Sequence, residues 1–109
     1  MNDLILPVPI AAYFSADARH PEAVVDCFTE QATVKDESRT YTGIEAIKAW
    51  KTSSSTKYTY IAEPFALDRN ADLQIVRVHV AGNFPGSPVD LQYQFRLDRG
   101  LIAALEITA

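Results

Sequence analysis

The chain has 109 residues, 48 % apolar and 22 % charged, which predicts one globular domain over 1–109 and excludes intrinsic disorder. Its net charge of −4, with no Lys/Arg cluster, excludes nucleic acid as a partner. A single cysteine, Cys27, excludes an internal disulfide framework and fits a reducing cytoplasm.

Residues 4–14 form the longest apolar stretch. It is too short to span a bilayer and is broken by Pro7 and Pro9, so no membrane partner is expected. Asp3 stands where a signal peptide carries positive charge, and neither signal peptide nor anchor is expected. Residues 1–8 should be extended, because Pro9 disfavours helix at the residue before it. Pro9 then suits the first turn of a helix whose stripe is Ile10, Tyr13, Phe14 and Asp17, the last a polar end. His20-Pro21 marks a break and a second helix start, with Val24, Val25 and Phe28 as its buried face.

Residues 32–36 read as strand, 36–39 as loop and 40–42 as a short strand. Thr42 and Glu45 match a capping box, which predicts a third helix from Gly43. Ile44, Ile47 and Trp50 share its inner side, and Lys48 and Lys51 fall near its C-terminus, where cations are favoured. The polar run 53–56 reads as an ordinary turn. Strands are expected over 57–67, with Pro64 hinting at a bulge or edge, then 74–81, 89–97 and 101–108. Turns are expected at 68–70 and 98–100, and a proline-stiffened loop over 82–88. On the third of these strands Val89, Leu91, Tyr93, Phe95 and Leu97 face one way, and Asp90, Gln92, Gln94 and Arg96 the other. Helices, short strands, a helix and then consecutive strands predict an α+β fold: a curved, mostly antiparallel sheet closed by helices into a cone with a pocket inside.

This order and several motifs together resemble the superfamily that groups nuclear transport factor 2, SnoaL-type polyketide cyclases and ketosteroid isomerase. The residues that carry the likeness are Cys27-Phe28, the strand Ala32-Thr33-Val34-Lys35-Asp36, the helix opening Tyr41-Thr42-Gly43-Ile44-Glu45-Ala46-Ile47, and the terminal hairpin from Phe95 to Ala103. The resemblance covers nearly the whole chain. It implies a general base at Asp36, the aspartate ending the first strand, and an oxyanion donor at Tyr13 on the first helix. Ketosteroid isomerase adds a protonated aspartic acid on a late strand. The matching position here is Tyr93, a departure from that pattern, although a phenol donates the same hydrogen bond. The Arg-Asp pairs typical of limonene-epoxide hydrolase-like members are not evident.

Each candidate has a plainer alternative. Asp36 is either a pocket carboxylate among apolar walls, and so a usable base, or a solvated loop acid beside Glu37. Tyr13 and Tyr93 are either donors or core. Trp50 is a pocket wall or a core anchor. Tyr58 and Tyr60 floor a pocket or meet a second subunit, and Phe84 rims the pocket mouth or joins that contact. His79 lies opposite the Val76, Val78 and Val80 face, on what reads as the outer side of the sheet. Cys27 reads as a small buried hydrophobe. Two histidines and one cysteine far apart predict no metal, and the absence of any phosphate loop or dinucleotide fingerprint predicts no cofactor. The expected partners are a small apolar molecule and a second copy of the chain, paired through the face of Asp90, Gln92, Gln94 and Arg96. Three functions compete: acid–base catalysis on an apolar carbonyl compound, ligand binding without catalysis, and service as an interaction subunit.

Overall fold

A computed structural model describes residues 4–109. The part of the expected N-terminal extended segment over 1–3 lies outside them. Helix α1 spans Val8–Arg19 and takes in Val8, which was expected to be extended. The ladder starts early because the Pro7 carbonyl accepts the N–H groups of Ile10 and Ala11 at 3.0 and 2.9 Å, with Pro9 in the first turn, where its missing N–H costs nothing. The second helix, Pro21–Cys27, is a 3-10 helix, tighter than an α-helix, and Phe28 has already passed into strand β1.

Strand β1 (Phe28–Asp36) begins earlier than expected and pairs antiparallel with β2 (Arg39–Thr42). Helix α2 spans Ile44–Lys57 and absorbs the 53–56 run expected to be a turn. The hydroxyls of Ser54, Ser55 and Thr56 bond back to carbonyls three or four residues earlier instead of breaking the helix. The capping box does not form. Thr42 is committed to the sheet opposite Thr33, and Gly43, at φ +87°, stands at the N-cap in its place.

Strands β3 (Tyr60–Asn70), β4 (Leu73–Gly82), β5 (Val89–Asp98) and β6 (Leu101–Thr108) follow as hairpins. Residues 68–70, expected as a turn, are paired strand. The reversal sits at Ala71-Asp72, where Ala71 takes φ +56°. The six strands lie in the order β2-β1-β6-β5-β4-β3, and only β1–β6 is parallel. Register shifts at Phe28/Thr33, Pro64/Ala66 and Arg96/Leu97 bend the sheet. Its inner face carries Val34, Val76, Val78, Tyr93, Phe95, Ile102 and Leu105. Ile10, Tyr13 and Phe14 of α1, Val24, and Ile47 and Trp50 of α2 close over them. The architecture is the α+β cone the sequence predicts. No helix among the described residues is long and apolar enough to cross a membrane.

Candidate functional site

Asp36 ends β1. It pairs with Ile107 of β6, and Ile107 pairs with Tyr93 of β5. Residues paired in one row share a sheet face, so Asp36 and Tyr93 point to the same side with a single strand between them. With strands spaced about 4.8 Å, their Cα atoms lie about 10 Å apart. That interval suits a small molecule.

A cavity of about 360 Å³ lies between α2, the 83–88 loop and the sheet. Asp36, Trp50, Tyr58, Tyr60, Phe84 and Tyr93 all line it, with Glu37, Lys51, Ser54, Val80, Pro85, Val89, Leu91 and Ile107. The Trp50 indole N–H donates to Asp36 Oδ2 at 3.1 Å. One carboxylate oxygen is therefore anchored, and the other, Oδ1, is left to accept a proton. Phe84 stands in the 83–88 loop, tied down by Thr59 N–H to Asn83 Oδ1 at 2.9 Å and Gly82 N–H to Ser87 Oγ at 2.8 Å. Its ring meets Tyr58 edge-on at 6.2 Å. Gly82 is required here, because a Cβ would fall on the Thr59 carbonyl and the Tyr60 backbone.

Tyr13 does not line the cavity. Its ring is fully buried beneath the floor, edge-on to Phe14, Phe28, Tyr93 and Phe95. Its hydroxyl has no hydrogen-bond partner among the described residues. Burial, then the neighbouring Tyr93 and Asp17, push its pKa well above the ordinary 10.0. Tyr93 is raised by burial and then by Asp17 and Asp36. Tyr60 is raised by burial and then by Asp17. All three phenols keep their protons at neutral pH.

Sequence reasoning missed a buried ionic cluster at this site. Lys51 Nζ pairs with Asp17 Oδ1 at 2.9 Å, and both side chains are 4 % exposed. Lys51 Nζ also donates to the Tyr60 hydroxyl at 3.2 Å, which in turn donates to Asp17 Oδ1 at 2.9 Å. The rings of Trp50, Tyr13 and Tyr60 surround the ammonium at 4.4, 5.4 and 5.8 Å. Lys48 and Lys51 therefore do not sit near the helix C-terminus as expected, because α2 runs on to Lys57; Lys51 lies mid-helix, and it is buried together with Asp17, the polar end of the α1 stripe. The signal was in the spacing: Lys51 follows Ile44 and Ile47 at i+7 and i+4, on the inner face of α2.

His79 lies outside the cavity, on the outer sheet face, with Nδ1 2.7 Å from Asp90 Oδ1. Cys27 is buried, and burial followed by Asp26 raises its thiol pKa, which disfavours the nucleophilic thiolate. Among the described residues no group of three His, Cys, Asp or Glu could hold a metal ion.

No family model and no curated protein matches the sequence. Solved structures do. A protein of Sinorhizobium meliloti described as a candidate polyketide cyclase aligns with a TM-score of 0.89 at 38 % identity, over 94 % of this chain and 95 % of that one. A hypothetical protein of Catenulispora acidiphila with a ketosteroid isomerase-like fold, in complex with trimethylamine, aligns with a TM-score of 0.84 at 19 % identity, over 96 % and 87 %. The epoxide hydrolase/cyclase-like enzyme SalBIII, of pyran ring formation in the polyether salinomycin, aligns with a TM-score of 0.79 at 21 % identity, over 92 % and 86 %. The two more distant relatives bear on the fold alone.

Proposed function

The chain belongs to the nuclear transport factor 2-like superfamily, among its SnoaL-like polyketide cyclases and ketosteroid isomerase-like proteins, and from that premise we propose that it performs acid–base chemistry on a small, apolar, carbonyl-bearing molecule. Asp36 is the base. The observation that carries the reading is its carboxylate, fixed by the Trp50 N–H at the wall of a cavity lined mostly by aromatic and aliphatic side chains, with Tyr93 on the same sheet face and one strand between them. Such a carboxylate takes a proton from the carbon next to a carbonyl. The electron pair moves to the carbonyl oxygen, and a hydrogen-bond donor stabilises the charge that develops there. Return of the proton to another carbon gives an isomer. Attack of the enolate on a second carbonyl of the same molecule gives a ring.

Binding without turnover is the second reading. It is favoured by the aromatic lining of Trp50, Tyr58, Tyr60, Phe84 and Tyr93. Two copies pair through the outer sheet face of Asp90, Gln92, Gln94 and Arg96; Ile61 and Phe65 of the edge strand β3, with β4 between them and β5, are also 70 % and 45 % exposed. The lone buried Cys27 suits work in a reducing cytoplasm.

The test is turnover of a panel of β,γ-unsaturated ketones and diketones by the wild-type chain and by Asp36→Asn. The amide keeps the shape and cannot take the proton. A loss of roughly 10²–10⁴-fold is expected. Ligand binding with no turnover by either protein supports the second reading.

A further inference from the structure

The geometry points to Lys51 as the group that receives the substrate's oxygen: its ammonium donates to the oxyanion formed when Asp36 removes the proton, so the ligand is an enolisable carbonyl compound bridging Asp36 and Lys51. This inference rests on the acid–base reading and assigns the oxygen's partner within it.

One indole holds both groups. The edge of Trp50 donates to Asp36 Oδ2 at 3.1 Å, and its ring lies 4.4 Å from Lys51 Nζ. Both residues line the same cavity. A base and a cation are therefore set at a spacing that a rigid side chain defines. An ammonium has three N–H donors. Lys51 spends one on Asp17 Oδ1 at 2.9 Å and one on the Tyr60 hydroxyl at 3.2 Å. The third has no hydrogen-bond acceptor among the described residues, only the face of the Trp50 ring at 4.4 Å, and is left for a cavity ligand.

The competing donors are worse placed. The Tyr60 proton is committed to Asp17. Tyr13 is sealed below the floor. Tyr93 lines the cavity, but it is a neutral donor and brings no positive charge to offset the oxyanion's.

The charges balance through the step. Before it, the cavity holds the Asp36 carboxylate and the Lys51–Asp17 pair. Proton transfer makes Asp36 a neutral acid and moves the negative charge to an oxygen beside the ammonium. Nothing is oxidised or reduced. Return of the proton from Asp36 restores the starting state. Paired with Asp17, Lys51 serves as a donor and not as an amine nucleophile.

The experiment uses a coloured enolate mimic, 4-nitrophenol, whose ionised form absorbs in the visible. It is bound to the Asp36→Asn chain, where the neutral amide stands in for the protonated acid. The bound probe should ionise at least about one pH unit lower than free probe, a preference of about tenfold for phenolate over phenol. Adding Lys51→Met with Asp17→Asn removes both buried charges together and should abolish that preference. A preference that survives this change and disappears in Tyr93→Phe overturns the inference and gives the oxygen to Tyr93. Equal binding of phenol and phenolate in the Asp36→Asn chain overturns it as well.

If the triple variant does not fold, nitrogen NMR of side-chain-labelled lysine in the Asp36→Asn chain decides. The buried Lys51 resonance must move when 4-nitrophenolate binds, and an unmoved resonance refutes the inference. The two proposals fail separately. Loss of turnover in Asp36→Asn with phenolate preference independent of Lys51 leaves Asp36 as base and removes Lys51. Unchanged turnover in Asp36→Asn with Lys51-dependent phenolate binding removes the base and leaves Lys51 as an anion site.

Discussion

Replacing Lys51 by Met removes the ammonium and keeps the length of the side chain. Asp17 then remains as a carboxylate 4 % exposed, with only the Tyr60 hydroxyl donating to it. Breaking one half of a buried ion pair costs about 3–5 kcal/mol, because the surviving charge has lost its partner and cannot reach water. A domain of this size has a total stability of about 5–15 kcal/mol, so the single variant is expected close to its folding limit. The double variant Lys51→Met with Asp17→Asn removes both charges. The amide still accepts from Tyr60, and most of the loss should return, leaving the double variant within about 2 kcal/mol of wild type. Urea unfolding of the four proteins of this cycle, read as midpoints at constant slope, measures the coupling directly. With each single substitution costing about 3–5 kcal/mol and the double about 2 kcal/mol or less, a coupling of at least about 4 kcal/mol is the expected result. Single substitutions that cost less than about 0.5 kcal/mol, as exposed positions do, would refute the burial on which the account of this cluster depends.

Further outcomes follow from the same packing. Gly82→Ala drives a Cβ onto the Thr59 carbonyl and the Tyr60 backbone and should cost about 1–3 kcal/mol, seen as a lower urea midpoint. Tyr13 and Tyr93 are buried with pKa values raised above the unfolded value of 10.0, so their contribution is whole below about pH 10 and is lost as pH rises beyond it. Each lowers stability by up to about 1.4 kcal/mol per pH unit there, and urea midpoints that stay flat from about pH 10 to about pH 11 would contradict that burial. Sedimentation equilibrium at high micromolar concentration should give twice the chain mass of 12.1 kDa, and a monomer would remove the proposed pairing of outer sheet faces.

The strands were the most legible part of the chain. Val76, Val78 and Val80 alternate with Arg77 and His79, and Tyr93 and Phe95 alternate with Gln92, Gln94 and Arg96, because one face packs on the helices and the other does not. The aromatic walls Trp50, Tyr58, Tyr60 and Phe84 could be nominated, yet their convergence on Asp36 depends on the β1–β6 pairing, which no local pattern encodes. Ser53 to Thr56 misled because serine and threonine favour turns on their own. Here the hydroxyls of Ser54, Ser55 and Thr56 bond to carbonyls of the same helix. Lys51 misled more deeply. It reads only as a cation favoured near a helix C-terminus; α2 extends past it, and Asp17, contributed by another helix, makes its burial tolerable. Tyr13 was legible as buried, but its separation from the cavity follows from how α1 seats against Phe95 and Tyr93.

The central claim is that Asp36 takes a proton from carbon, and that step can be followed without knowing the natural substrate. Cyclohexanone or 3-cyclohexenone is incubated with the protein in deuterium oxide, and loss of the proton signals next to the carbonyl is followed by NMR. The account predicts exchange accelerated by the wild-type chain and slowed roughly 10²–10⁴-fold in Asp36→Asn, with circular dichroism and urea midpoint showing the fold retained. Acceleration that falls less than about tenfold in Asp36→Asn would contradict the claim that this carboxylate is the base.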